Sequence, residues 1–182
     1  MKSVLISIRP KWTEKIANGE KTIEVRKSAP KEVPFKCYIY ETQGQYVKFI
    51  HGAHTKYGYG CGKVIGEFVC DKVEKLEEHI EQGGLYYILS DTFNEQAQLD
   101  NWELHDYGKG KTLYGWHISD LKIYDKPKEL SEFRKPCPYG DLPCWICPSC
   151  DKDENDNLIQ CFNTVSRPPQ SWQYIEDLGE KE

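Results

Sequence analysis

The chain lacks an excess of positive charge, since it holds 24 Lys and Arg against 29 Asp and Glu for a net charge of -5. A protein that neutralises many phosphates normally has a clear surplus of basic residues. The composition therefore excludes a surface that binds nucleic acid over its whole extent. Basic residues are nevertheless dense between Arg9 and Lys36, whereas acidic residues cluster at 74–78 and after residue 175. Any contact with nucleic acid is expected in the N-terminal third.

Long apolar runs are also missing, because no segment approaches the roughly 20 apolar residues that a membrane helix needs. The apolar run at 4–8 meets charged residues too early for a secretory signal. We therefore expect a cytoplasmic, reducing location and no membrane partner. With 38% apolar and 29% charged residues, the chain has the composition of a globular protein. We predict a single domain over 1–182, with an insert at 134–163.

Local patterns predict short strands interrupted by a few helices. The β-branched run at 2–8 is typical of a strand buried on both faces. Pro10 can begin a helix that Asn18 and Gly19 end. Strands are predicted at 2–8, 22–26, 35–41, 63–73, 113–124 and 172–175, and a helix at 11–18. Because strands and helices do not strictly alternate, the pattern favours an α+β barrel over a doubly wound sheet.

The segment between Val73 and Gly110 is predicted to form two helices. Leu76 and Ile80 have helical spacing, as do Phe93, Ala97 and Leu104 further along. The second helix is predicted to be capped at 90–92. Before this segment, the glycine-rich stretch 57–62 is predicted to be a flexible hairpin or loop.

The densest group of chemically useful residues lies at 7–12 and 19–26. Glu24 and Arg26 are two apart on a predicted strand, so both project from one face. A carboxylate beside a guanidinium stays ionised and offers a ligand one acceptor and one planar set of donors. Lys21 can bring a positive charge to the same surface. The set suits recognition of a base edge or a phosphate; the alternative is an exposed ion pair that contributes little.

The spacing Gly19-x-Lys21-x-x-Glu24-x-Arg26, after a strand and a short helix, resembles the motif of the ASCH domain family. ASCH domains are relatives of the PUA domains of RNA-modifying proteins. The segments 6–11, 116–121 and 167–172 also resemble that family.

This resemblance implies a PUA-like small β-barrel with flanking helices, and a cleft between the first helix and the barrel. The implied role is binding of RNA or of a modified nucleoside or nucleotide. Trp12 and Tyr40 are expected to stack on bases. The candidate ligand-binding residues are Ser7, Arg9, Lys11, Trp12, Lys21, Glu24 and Arg26.

A hydrolase is the first alternative, because some members of the family are acetylcytidine amidohydrolases. Their Thr nucleophile occupies the position of Glu24, and their catalytic Lys the position of Lys21. Since this chain has no Thr there, Glu24 would have to activate water while Lys21 stabilises the oxyanion. Glu67 is a candidate for a further catalytic Glu of those enzymes. Ribonuclease activity is the other hydrolytic alternative.

A cysteine cluster near the C-terminus predicts a metal site. Five of the eight cysteines fall in the insert, at Cys137, Cys144, Cys147, Cys150 and Cys161. Four thiolates complete a tetrahedral zinc site, and a metal can supply the stability that this apolar-poor insert lacks. We expect Cys150 to be the spare one. An iron-sulfur cluster is the runner-up because the spacing of the three central cysteines also fits a ferredoxin-type run.

A protein-interaction adaptor is the second functional alternative, with the zinc knuckle and the acidic C-terminus as its contacts. The other cysteines receive no role in metal binding: Cys37 and Cys70 are expected in the core, and Cys61 in a loop. None of the five histidines has the spacing of a zinc peptidase motif, and none is assigned a catalytic role.

Overall fold

The computed structural model describes residues 1–50, 54–81, 84–90, 92–137, 139, 148, 150–155, 158–161 and 163–177. In this part of the chain, no helix is both long and apolar enough to cross a membrane. The elements are β1 (Lys2–Ile8), α1 (Pro10–Ala17), β2 (Ile23–Arg26), β3 (Phe35–Glu41), β4 (Gly44–Ile50), β5 (His54–Gly60), β6 (Val64–Cys70), β7 (Val73–Glu81), β8 (Gly84–Ile88), α2 (Phe93–Ala97), α3 (Asn101–Gly108), β9 (Leu113–His117), β10 (Ser119–Lys128), a 3-10 turn (Leu130–Glu132), β11 (Cys150–Lys152), β12 (Leu158–Cys161) and β13 (Trp172–Ile175).

The larger sheet has five strands in the order β10-β6-β3-β1-β13. β1 runs parallel to β3 and antiparallel to β13. Val4, Ile6 and Ile8 pack into one core with Trp116, whereas Leu5 packs into a second core with Phe133 on the other face. The prediction of a central strand buried on both faces is therefore confirmed.

The smaller sheet has four strands in the order β2-β9-β7-β8. Ile23 and Val25 of β2 contribute to a third core with Leu113 of β9. This core also takes Phe93 of α2 and Leu104 of α3, both fully buried. The two short helices are thus fixed against the sheet that carries Glu24 and Arg26.

The described strands do not close into a barrel, which corrects the predicted architecture while the α+β class is confirmed. The predicted strand at 113–124 is two strands, β9 and β10, one in each sheet. The predicted strand at 63–73 likewise ends at Cys70, and β7 begins in the other sheet at Val73. A change of sheet leaves the period-two alternation almost intact, so the sequence pattern does not reveal it.

The helix predicted from Leu76 and Ile80 is wrong, because this segment is strand β7. Residues four apart lie on one face of a strand as well as of a helix, so the spacing did not discriminate. Leu76 is buried opposite Leu113 of β9. The second predicted helix is interrupted at Gln98, whose φ is 54°. Thr92 precedes α2 as its N-cap, and a capping box of Asp100 and Glu103 begins α3.

The stretch 57–62 contributes to a hairpin, as predicted, since β4 and β5 pair from Gly44 and Gly60 to Ile50 and His54. A Cβ at Gly60 would overlap the carbonyl oxygen of Thr42 and crowd Pro10 at the start of α1. The close approach therefore requires glycine, and it holds the base of the hairpin against the first helix.

The cysteine-rich insert is described only in part, and Cys144 and Cys147 lie outside the described residues. Cys150 and Cys161 stand opposite each other in the β11–β12 pair. Where the insert leaves and rejoins the domain, Arg134 forms a bridge with Thr164. No metal-binding group of three or more ligands occurs among the described residues. The zinc site and its ligands remain a prediction.

Candidate functional site

A cleft of about 900 Å³ opens between α1, β2, α3 and the segment 168–171. Six of the seven predicted ligand-binding residues line it: Ser7, Arg9, Trp12, Lys21, Glu24 and Arg26. The seventh, Lys11, does not line the cleft, but its Nζ is 3.8 Å from Oε1 of Glu103, which does. Tertiary structure thus brings together residues from β1, α1 and β2 that the sequence places in two separate segments.

Three charged side chains form the floor of the cleft, and we call Lys21, Glu24 and Arg26 the cleft triad. Lys21 Nζ lies 3.5 Å from Glu24 Oε2, and Arg26 Nη2 lies 3.0 Å from Glu24 Oε1. Their side chains are only 2%, 7% and 10% exposed, respectively. The alternative of an exposed ion pair on a solvated strand is therefore wrong.

Backbone oxygens hold the two cations of the triad in place. Lys21 Nζ donates to the carbonyl oxygen of Ala97 at 2.5 Å, at the end of α2. Arg26 Nη2 donates to the carbonyl oxygen of Ser7 at 2.7 Å. Gly19, with φ of 75°, ends the α1 segment in the left-handed region and turns the chain toward Lys21. The left-handed backbone conformation thus explains why the sequence motif has a glycine at this position.

Burial sets the electrostatics of the triad. Desolvation lowers the pKa of Lys21, and the nearby cations Arg26 and Lys15 lower it further, although Glu24 opposes them. With two cations around one carboxylate, the triad has a surplus positive charge in a poorly solvated place. Such a site can attract an acceptor group of a ligand or polarise a bound carbonyl.

Lysine side chains surround the indole ring of Trp12 at the cleft. The Nζ atoms of Lys11, Lys21 and Lys15 lie 4.3, 5.2 and 5.9 Å from the ring centroid. A lysine ammonium group within about 6 Å of the ring centroid is attracted to the π face of the ring. Tyr40, the other predicted stacking residue, is 6% exposed and packs in the second core with Phe133. The prediction that Tyr40 stacks on a base is wrong.

Ser7 has a positioning role in the described structure. Its Oγ donates to the carbonyl oxygen of Pro169 at 2.6 Å, and its backbone nitrogen donates to the carbonyl oxygen of Ser171 at 2.9 Å. Because its carbonyl oxygen also accepts from Arg26, Ser7 links the 168–171 wall to the floor. Arg9 is exposed at the cleft and makes its charge available to a ligand.

The cleft lining is more positive than the chain as a whole. Five of its side chains are basic and three are acidic, a surplus of +2 against the overall charge of -5. The basic ones are Arg9, Lys21, Arg26, Lys27 and Lys109, and the acidic ones Glu24, Glu103 and Asp106. A local positive region in an acidic protein favours an anionic ligand at this place.

The ASCH domain family model matches residues 6–115, which is more than half of the chain and includes the cleft triad. The chain belongs to the ASCH domain family. Among solved structures, the ASCH protein of Zymomonas mobilis superposes with a TM-score of 0.53 at 16% identity, over 96% of this chain and 88% of that one.

Two variants of the Zymomonas mobilis protein are similar to this chain to the same extent. Its Tyr-to-Phe variant has a TM-score of 0.52 at 16% identity, covering 98% of this chain and 93% of that one. Its Ser-to-Ala variant has a TM-score of 0.52 at 15% identity, with 97% and 90% covered. At this identity the likeness establishes the fold. No curated protein matches the sequence.

Two aromatic residues of this ASCH domain that sequence reasoning did not assign to the site line its cleft. Trp102 and Tyr107 of α3 are 73% and 37% exposed, and Lys27 Nζ lies 5.0 Å from the Tyr107 ring centroid. Their position off the apolar stripe that includes Leu104 was the available signal. The sequence alone could not identify the residues that line the walls of the cleft, because their position depends on how α3 packs.

Hydrogen bonds tie the α2–α3 wall to the other side of the cleft. Lys15 Nζ of α1 donates to Gln98 Oε1 at 2.6 Å, and the backbone nitrogen of Thr22 donates to the carbonyl oxygen of Gln96 at 2.8 Å. Together with the Lys21 contact to Ala97, these bonds fix the wall over the triad. The cleft is therefore largely preformed.

A second polar group, away from the cleft, contains the Glu that was a candidate for catalysis. Glu67 Oε2 accepts from the hydroxyl of Tyr124 at 2.5 Å, and Glu67 Oε1 lies 4.0 Å from Lys36 Nζ. Asp177 Oδ1 accepts from Tyr38 at 2.9 Å and lies 3.6 Å from the same Nζ. We call these five residues the sheet-face cluster. Glu67 does not line the cleft, so the structure does not bring it together with Lys21 and Glu24.

Proposed function

We propose that this ASCH domain binds RNA or a modified nucleoside or nucleotide in the cleft. The observation that supports this most is the buried triad of Lys21, Glu24 and Arg26 at the floor of a cleft with a positive lining. A structural ion pair needs no cleft above it, whereas a ligand site does. The volume of about 900 Å³ falls within the range of about 300–1,000 Å³ that is usual for ligand sites.

The chemistry of the triad suits the edge of a nucleobase. Glu24 can accept a hydrogen bond from an exocyclic amine, and Arg26 can donate to a ring carbonyl or to a phosphate. Lys21 adds a donor and a positive charge. Trp12 lines the same cleft, and stacking on aromatic rings is common in the recognition of single-stranded RNA.

Binding can be measured by isothermal titration with ribonucleoside monophosphates and short single-stranded RNA. We expect Lys21→Ala and Arg26→Ala to lose binding, because each removes a donor from the floor. Lys36→Ala in the sheet-face cluster is the matched control and should bind as the wild type does. Circular dichroism must show that each variant is folded. Unchanged affinity in both triad variants would refute the proposal.

A hydrolase is a second candidate, favoured by the contact of Lys21 with Glu24 at the floor of the cleft. Glu24 would take a proton from water as the hydroxide attacks an acyl carbonyl, and Lys21 would stabilise the oxyanion. Collapse of the intermediate would break the C–N bond, with Glu24 returning the proton to the amine. Incubation with acetylated cytidine tests this step, and incubation with short RNAs tests the separate ribonuclease alternative. Product formation that persists in Glu24→Gln would contradict the mechanism.

A structural zinc ion held by four of the five insert cysteines remains a separate proposal. Elemental analysis of the protein purified under reducing conditions should give one zinc per chain, and iron with sulfide would favour the cluster instead. The adaptor alternative depends on the same insert, much of which lies outside the described residues. A partner that co-purifies only when 137–161 is intact would support it.

A further inference from the structure

The α3 side of the cleft mouth presents an indole ring to solvent. Trp102, in the first turn of α3, is 73% exposed and lines the cleft. A large apolar ring in water forgoes the stabilisation that burial would provide, and the place of Trp102 in the cleft lining offers that burial through contact with a ligand. Tyr107 adds a second, partly exposed ring in the last turn of the same helix.

The fold does not need Trp102 to hold α3 in place. Leu104 supplies the fully buried contact of this helix, and the capping box of Asp100 and Glu103 satisfies its first turn. No ring pair between described residues includes Trp102. Its ring is therefore available to a ligand that extends beyond the floor of the cleft.

Lysines lie close to two other aromatic rings of the cleft lining, Trp12 and Tyr107. Lys11 Nζ lies 4.3 Å from the Trp12 ring centroid and 3.8 Å from Glu103, the residue that follows Trp102. Lys27 Nζ lies over Tyr107 at 5.0 Å, and Lys109 also lines the cleft. Aromatic rings interleaved with lysines match a polyanion whose bases are unpaired.

We propose that the cleft takes single-stranded RNA of at least two nucleotides in preference to a free nucleoside. One base enters the cleft beside Trp12 and above the triad, and the neighbouring base stacks on Trp102 at the mouth. Lys11 and Lys27 neutralise the phosphates on either side. This inference rests on the proposed function and names the class of ligand, with Trp102 as the residue that selects a strand over a monomer.

The test compares two ligands on the intact chain: a ribonucleoside monophosphate and a single-stranded RNA of six nucleotides with the same base. Isothermal titration gives the affinity for each. We expect the wild type to bind the hexamer at least about tenfold more tightly, since one stacked base typically contributes a factor of this order. Trp102→Ala should lose about that factor for the hexamer and leave the monophosphate affinity unchanged. Trp102→Phe should retain most of the hexamer affinity.

Tyr59→Ala is the matched control, because Tyr59 is 72% exposed but does not line the cleft. It should change neither affinity. Equal loss for both ligands in Trp102→Ala would place Trp102 in the first base site and overturn the inference. Unchanged hexamer affinity, or a shift in sedimentation that shows Trp102 joining two copies, would also overturn it while the proposed function stands. If the wild type binds neither ligand, both proposals fail.

Discussion

Two groups of charged residues in this ASCH domain differ mainly in their burial. In the cleft triad, all three side chains are at most 10% exposed. In the sheet-face cluster, Lys36 and Glu67 are 19% and 21% exposed, and Asp177 is 38% exposed. Water screens the charges of the sheet-face cluster more than those of the cleft triad. An ion pair of the same kind is therefore weaker in the sheet-face cluster.

The difference separates a candidate binding site from a structural tie. The triad lies under a cleft and keeps a surplus cation where a ligand can reach it. The sheet-face cluster links β3, β6 and β10 to the segment after β13, and its tyrosine hydroxyls already use its carboxylates. The burial of charged groups costs folding free energy. Because the triad is the more deeply buried group, we associate the triad with binding and the sheet-face cluster with stability.

Removal of the triad's carboxylate should have the largest effect. Glu24→Ala leaves Lys21 and Arg26 buried as like charges without a counter-ion, so the free energy of unfolding should fall by about 3–5 kcal/mol. Glu67→Ala should cost only about 1–3 kcal/mol, because its partners remain partly hydrated. Urea unfolding followed by tryptophan fluorescence measures both. Equal losses would remove the distinction between the two groups.

The pH dependence of stability should also report the burial of Lys21. The pKa of Lys21 is lowered in the folded state. Between this lowered pKa and about pH 10.4, the unfolded state therefore binds more protons than the folded state. The unfolding free energy of the wild type should therefore rise relative to Lys21→Met through this pH window, by at most about 1.4 kcal/mol per pH unit. Below the lowered pKa, the difference between the two proteins should be constant. A Lys21→Met curve parallel to the wild type throughout the window would show that burial does not perturb Lys21.

A smaller effect is expected where a hydrogen bond in the sheet-face cluster is removed. Burial and the bond to Glu67 raise the pKa of Tyr124, so the hydroxyl is a donor at neutral pH. Tyr124→Phe should lower the free energy of unfolding by about 1 kcal/mol and leave ligand affinity unchanged. Denaturant unfolding and titration with RNA measure the two quantities. Loss of affinity would connect this cluster to the cleft.

The smallest expected effect concerns the salt dependence of binding. Lys27 and Lys128 each lie over a tyrosine ring, at 5.0 and 4.8 Å, but only Lys27 lines the cleft. If Lys27 neutralises one phosphate, Lys27→Ala should reduce the slope of log K against log salt by about 0.7. Lys128→Ala should leave the slope as in the wild type. Equal slopes in the two variants would exclude the phosphate contact.

Part of the fold could be predicted because its signals are local. The helix predicted at 11–18 is observed at Pro10–Ala17, and the strand predicted at 35–41 is observed at Phe35–Glu41. The predictions failed where two packing arrangements share one local pattern. Leu76 and Ile80 fit a strand as well as a helix, and the strand predicted at 113–124 crosses between sheets.

The sequence by itself determined the motif of the site, since a two-residue spacing on a strand puts Glu24 and Arg26 on one face and Gly19 permits the turn before Lys21. Tertiary structure decided how deeply these charges are buried and what surrounds them. Trp102 lines the cleft and Tyr40 does not, because the packing of α3 and of the second core controls exposure. Exposure depends on contacts between distant segments, and residue spacing within one segment contains no information about them.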